Sequence, residues 1–162
     1  IYATSTYEHR SPGEHSGYEY SRTQNPTREV LEKSLAELEG GNRAFAFSSG
    51  VAAQSAILEI LKPGDHIVAF DDLYGGTFRL FNEIKTKSSG ITVTYVDLNK
   101  NFSKEIKKNT KMIWIETPTN PLLKITDLKR ISRIAKKNKL ITVCDNTFAT
   151  PFNQKPLNFA AF

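Results

Sequence analysis

Five short apolar runs alternate with amphipathic stretches along most of this chain, and no other feature constrains its fold as strongly. The runs are Ala44 to Phe47, His66 to Phe70, Ile91 to Val96, Met112 to Glu116 and Leu140 to Cys144. Runs this short, bounded by turn residues, read as buried strands rather than helices. Between them the apolar residues recur at helical spacing. Thr27 to Glu39 places Val30, Leu31, Leu35 and Leu38 on one face, and Gly40-Gly41 stop it. Further helices are predicted from Val51 to about Leu61, ended by Pro63-Gly64, from Thr77 to about Lys87, near Ser103 to Lys108, and from Asp127 to Lys139. The last turns Leu128, Ile131, Ile134 and Ala135 inward. Strands joined through helices run parallel, and a parallel sheet is covered on both faces. The fold class is therefore α/β, a mainly parallel sheet with helices on both faces. Residues 1–25, rich in Ser, Thr, Tyr, Gly and Pro without periodicity, are read as an extended arm.

Composition removes several alternatives. With 39% hydrophobic and 24% charged residues, the 162-residue chain has the balance of a water-soluble domain. No apolar run approaches the roughly 18 residues that a membrane span needs, so no membrane partner is expected. The chain opens Ile-Tyr-Ala-Thr-Ser-Thr-Tyr, without Met, a basic region or an apolar leader, so no secretory signal is expected. Cys144 is the single cysteine, which rules out a disulfide framework within the chain and fits a cytoplasmic location. The net charge of +5 is uneven: residues 100–139 hold 12 Lys and Arg against three acids. Lys136, Lys137 and Lys139 are read as the solvated face of a helix, because no aromatic residues interleave them. Nucleic acid is not an expected partner. His9, His15 and His66 are scattered without ligand spacing, and no metal site is expected.

In an open α/β sheet, ligands bind beyond the carboxyl ends of the strands. Polar clusters follow four of the five runs. Ser48-Ser49-Gly50-Val51 opens a helix, and either presents free N–H groups to a phosphate or is a plain serine cap. Asp71-Asp72-Leu73-Tyr74-Gly75-Gly76-Thr77 places an aromatic where it can stack on a planar ligand, or is an ordinary helix-start loop. Glu116-Thr117-Pro118-Thr119-Asn120-Pro121 restrains one Asn between two prolines, and either holds its amide against a ligand's edge or is merely a turn. Asp145-Asn146-Thr147 brings a carboxylate off an apolar strand, which calls for a cationic or hydrogen-bonding partner.

These segments resemble the Cys/Met-metabolism enzymes that use pyridoxal phosphate (PLP): cystathionine γ-lyase, γ-synthase and β-lyase, and methionine γ-lyase. The matching stretches are HSGYEYSRTQNPTR (15–28), SSGVAA (48–53), DDLYGGT (71–77), WIETPTNP (114–121) and DNTF (145–148), in the family's order. The resemblance implies part of the large domain of the aspartate aminotransferase-like fold (fold type I), its sheet incomplete, here as residues 26–162 following the 1–25 arm. It implies that Gly50 and Val51 cup the phosphate and that Tyr74, a catalytic residue, stacks on the ring. It further implies that Asn120 contacts the ring hydroxyl or substrate, and that Asp145, supported by Thr147, pairs with the pyridinium nitrogen. Tyr20 and Arg22 resemble the pair that reaches into a neighbouring subunit's site, implying a homodimer or homotetramer with a shared active site. Glu19 is similar to the acid that meets the distal ammonium of cystathionine. A small sulfur amino acid is the implied substrate, and γ-elimination the favoured reaction ahead of γ-replacement or β-elimination.

The family's PLP-binding lysine lies in a Ser-x-Thr-Lys segment that does not occur in residues 1–162. Lys155, the nearest basic residue, lacks that context. The resemblance therefore implies an N-terminal fragment without the C-terminal domain, inactive as it stands. In the implied fold the Ala44–Phe47 strand is separated from the fifth strand by two later ones. It is expected to lack in-sheet neighbours, and the segment is expected not to fold stably alone.

Overall fold

The structure, a computed structural model, describes residues 1–159 and divides into two units, Ile1–Ala46 and Phe47–Phe162. In the first unit the expected extended arm folds back on itself. Strand β1 (His9–Ser11) pairs antiparallel with β2 (Glu14–His15), and an isolated bridge joins Thr6 to Tyr20. Pro12 and Gly13, the latter at φ 82°, supply the turn that aperiodic composition did not distinguish from a simple arm. Helix α1 (Pro26–Glu39) begins where Asn25 Oδ1 accepts from the Thr27 and Arg28 amides at 2.9 and 3.2 Å. Pro26 fits the first turn, where an amide has no intrahelical partner, and Gly40 at φ 72° ends the helix. Val30, Leu31, Leu35 and Leu38 all stand exposed on it.

The strand expected at Ala44–Phe47 is not formed. A strand is held by neighbours on its edges, and this stretch has none among the described residues. The Ala46 amide instead donates to Glu32 Oε1 at 2.8 Å. Among the described residues four parallel strands, not five, make the main sheet.

The second unit begins with α2 (Gly50–Leu58), shorter than the expected helix. After Leu58 the amides of Glu59, Ile60 and Leu61 turn to carbonyls three residues back, a tightening ahead of Pro63. Strand β3 (His66–Phe70) leads to α3 (Gly75–Arg79), which continues as a π-helical segment (Leu80–Lys85) and α4 (Thr86–Ser88). Then come β4 (Thr92–Val96), a 3₁₀ turn (Ser103–Glu105), β5 (Thr110–Glu116), α5 (Leu128–Asn138) and β6 (Ile141–Asp145). Two elements escaped the sequence pattern because both are short: α6 (Thr150–Asn153) and a 3₁₀ turn at Pro156–Phe159.

The sheet order is β4-β3-β5-β6, parallel throughout. All of β3, and β5 from Met112 onward, is buried residue after residue, so both faces of these central strands are covered. Leu58 of α2, Phe81, and Leu128, Ile131 and Ala135 of α5 belong to the same core. Phe81 meets Trp114 edge-on, centroids 5.1 Å apart and planes at 88°. Asp127 caps α5 through the Arg130 amide, and Lys139 at φ 55° closes it. Lys136, Lys137 and Lys139 lie exposed, beside the negative end of the helix dipole. No helix among the described residues is long and apolar enough to cross a membrane.

Candidate active site at the strand carboxyl ends

Register explains why a site forms here. In the parallel pair β5–β6, Glu116 lies opposite Asp145, so two carboxylates leave the sheet side by side. Both face a cavity of about 280 Å³ whose lining also includes Gly50, Val51, Tyr74, Asn120 and Thr147. Six residues singled out from sequence therefore meet in one cavity of the second unit. Tyr20 and Arg22 come together in the first unit, the Arg22 guanidinium 4.9 Å from the Tyr20 ring centroid, with Glu19 exposed beside them.

At one wall, Ser49 caps α2 by accepting from the Ala52 amide at 3.1 Å. The Gly50 and Val51 amides belong to the first turn, which has no intrahelical acceptors, and both residues line the cavity. At another, Asp145 Oδ1 accepts from the Thr147 amide at 3.1 Å and from its hydroxyl at 2.5 Å. Oδ2 accepts from Gln54 Nε2 at 3.1 Å. Tyr74, half exposed, sits just before α3.

Glu116 ties the two loops together. Its Oε2 accepts from the Tyr74 amide at 2.9 Å and its Oε1 from the Asn120 amide at 2.8 Å. Burial pushes this carboxyl above the ordinary range. The Tyr74 and Asn120 amides pull against that shift, while Asp145 and Asp72 add to it. Asp72 holds the Asn120 loop from its other side, accepting from Thr119 Oγ1 at 2.5 Å and the Leu122 amide at 3.2 Å. Sequence reasoning missed Gln54 and Glu116 as site residues. The signal that flagged Asp145, a carboxylate ending an apolar strand, applies equally to Glu116. Gln54 is a polar residue about one helical turn after Gly50, on a helix that is mostly apolar.

Helix-start amides can donate to a phosphate, an aromatic face can stack on a flat ring, a loop Asn can bond a ring substituent, and a carboxylate can accept from a protonated ring nitrogen. This donor and acceptor set fits PLP. Fold and site thus define a cofactor-binding α/β domain of the PLP-dependent class. The chain belongs to the Cys/Met metabolism PLP-dependent enzyme family, whose model matches residues 1–161.

The chain is 53% identical over 159 residues to a cystathionine beta-lyase of Coxiella burnetii, covering 97% of this chain and 41% of the relative. It is 50% identical over 163 residues to a cystathionine gamma-lyase of Bacillus subtilis, covering 99% and 43%. Its structure resembles a cystathionine gamma synthase of Xanthomonas oryzae pv. oryzae, solved in complex with aminoacrylate and cysteine. There the TM-score is 0.93 and the identity 41%, over 99% of this chain and 42% of the other. The chain thus spans roughly two-fifths of the length of these relatives.

Proposed function

We propose that the protein carrying this segment catalyses PLP-dependent carbon–sulfur bond cleavage in sulfur amino-acid metabolism, with a cystathionine-type substrate and γ-elimination as its main reaction. The observation that carries this reading is the convergence of Gly50, Val51, Tyr74, Asn120, Asp145 and Thr147 on one cavity. PLP, when bound, supplies an electron sink for the charge that develops on the substrate. The Gly50 and Val51 amides would hold the phosphate, and Asp145, its carboxylate fixed by Thr147, would keep a proton on the ring nitrogen. Tyr74 would stack on the ring, and Asn120 would contact the ring hydroxyl or the substrate.

Tyr20 and Arg22 are assigned to a neighbouring subunit's site, which makes the functional form a homodimer or homotetramer. A guanidinium fork suits phosphate, and the Arg22–Tyr20 stack restrains it. Glu19, exposed next to them, is assigned to the distal ammonium of the substrate. The compartment proposed is the cytoplasm. The relatives' names include β-lyase, γ-lyase and γ-synthase activities, so the bond cleaved is the point to test.

The experiment is to express the full-length gene product with PLP and supply cystathionine. Cleavage at Cγ gives cysteine and 2-oxobutanoate with ammonia, whereas cleavage at Cβ gives homocysteine and pyruvate with ammonia. Cysteine with 2-oxobutanoate is the expected outcome. Pyruvate as the main keto acid would replace γ- with β-elimination. A full-length product that neither binds PLP nor turns over cystathionine would leave only a catalytically silent relative.

A further inference from the structure

Gln54 is tied on both sides of its amide group, and chemistry assigns which way it points. A carboxylate only accepts, so the group 3.1 Å from Asp145 Oδ2 is the amide nitrogen. The amide oxygen then faces Thr77 Oγ1 at 3.0 Å, and the threonine hydroxyl donates to it. Gln54 and Thr77 are both buried, which makes a competing water bond costly. The relay runs from Thr77 in α3 through Gln54 in α2 to Asp145 at the end of β6.

Asp145 has about four acceptor positions on its two oxygens. Thr147 takes two on Oδ1 through its amide and hydroxyl, and Gln54 takes one on Oδ2. One position on Oδ2 is left to a ligand. We infer that Gln54 is a positioning residue for the cofactor, held by Thr77, which fixes the Asp145 carboxylate so that Oδ2 alone meets the ring N–H. This rests on the assignment of Asp145 to the ring nitrogen in the proposed function. Without Gln54 the carboxylate keeps its Thr147 bonds but gains a second open position on Oδ2 and freedom to turn.

The test is a double-mutant cycle in the full-length protein, read as the dissociation constant of PLP titrated into apoprotein. Gln54→Leu keeps the approximate volume and removes the amide, and is expected to weaken PLP binding about tenfold, the loss of one hydrogen bond to a charged acceptor. In an Asp145→Asn background the same change is expected to cost about twofold or less, because the carboxylate that Gln54 positions is gone. The ¹⁵N resonance of ring-labelled PLP should also move in Gln54→Leu, which a remote packing defect would not cause. Thr77→Val, which loses the hydroxyl but keeps the shape, should weaken binding in the same direction and carries the test if Gln54→Leu does not fold. Equal losses in both backgrounds, or an unchanged affinity in Gln54→Leu and Thr77→Val, would overturn the role of Gln54. If Asp145→Asn alone leaves affinity and the ring-nitrogen resonance unchanged, the assignment of Asp145 itself fails, an outcome distinct from failure of the relay.

Discussion

The ring of Tyr74 lies so close over Gly76 that a Cβ on residue 76 would stand 2.4 Å from Tyr74 Cε1. Glycine is required there by the neighbour rather than by the backbone, since Gly76 lies in the first turn of α3 without a positive φ. Gly76→Ala is therefore expected to move the ring and leave the helix intact. The ring is half exposed and can swing, so the cost to stability should stay within about 1 kcal/mol. Loss of a stacked aromatic contact is worth about 0.5–1.5 kcal/mol, so PLP affinity of the full-length protein should fall roughly twofold to thirteenfold. Parallel thermal melts and PLP titrations check both halves. A large drop in melting temperature would show that the ring cannot yield.

Glu116 joins the loop bearing Tyr74 to the loop bearing Asn120, one carboxylate oxygen for each amide. In Glu116→Gln the amide NH₂ replaces one acceptor with a donor, so only one loop amide keeps its partner. Hydrogen exchange resolved to single amides is expected to show faster exchange at either Tyr74 or Asn120, and at both in Glu116→Ala. Protection unchanged at both positions in Glu116→Ala would mean that the loops are held by other contacts, such as those of Asp72.

Asp145 and Glu116, paired across β5 and β6, show where sequence was and was not enough. The strand pattern placed β3 at its observed limits, and β4, β5 and β6 within two residues, because buried parallel strands are written as uninterrupted apolar runs. It failed at Ala44–Phe47, where apolarity alone does not supply the neighbours a strand needs. It failed again in the arm, where a tight turn at Pro12-Gly13 is a local device without periodicity. Within the site, residues with a distinct chemical signature were legible: Tyr74, Asn120 and Asp145. Gln54 and Glu116 act through partners 91, 42 and 4 residues away, and only the fold brings the two distant ones together.

Ser49 carries a prediction of its own. Its hydroxyl accepts from the Ala52 amide, so Ser49→Ala leaves an amide of the first turn of α2 without that acceptor. The expected cost is about 1 kcal/mol of stability. A phosphate at the same helix end offers a replacement acceptor, so added PLP should recover part of the loss. Melts of the full-length variant with and without PLP measure this, and a deficit that PLP does not reduce would argue against phosphate at this terminus.

His66 stands at the opposite end of the sheet and links three strands. Fully buried in β3, it shares hydrogen bonds of 2.8 Å with Thr110 Oγ1 of β5 and Thr94 Oγ1 of β4. Burial lowers its pKa below the ordinary 6.5, Lys107 lowers it further, and Glu105 opposes them. Since the folded pKa lies below the unfolded one, the unfolded chain takes up the proton first as pH falls. The stability associated with neutral His66 is thus complete above about pH 6.5 and is lost below it, by at most about 1.4 kcal/mol per pH unit. Glu116 works in the opposite sense, because its raised pKa favours the folded state on acidification. A bare pH melt would mix the two, and comparison with His66→Gln separates them. That variant keeps a polar side chain without a titrating ring and should cost about 1–3 kcal/mol at pH 7.5. Thermal denaturation of both proteins from pH 7.5 to 5 is expected to show the gap narrowing as pH falls. A gap that stays constant would mean that His66 is not the acid-sensitive link between these strands.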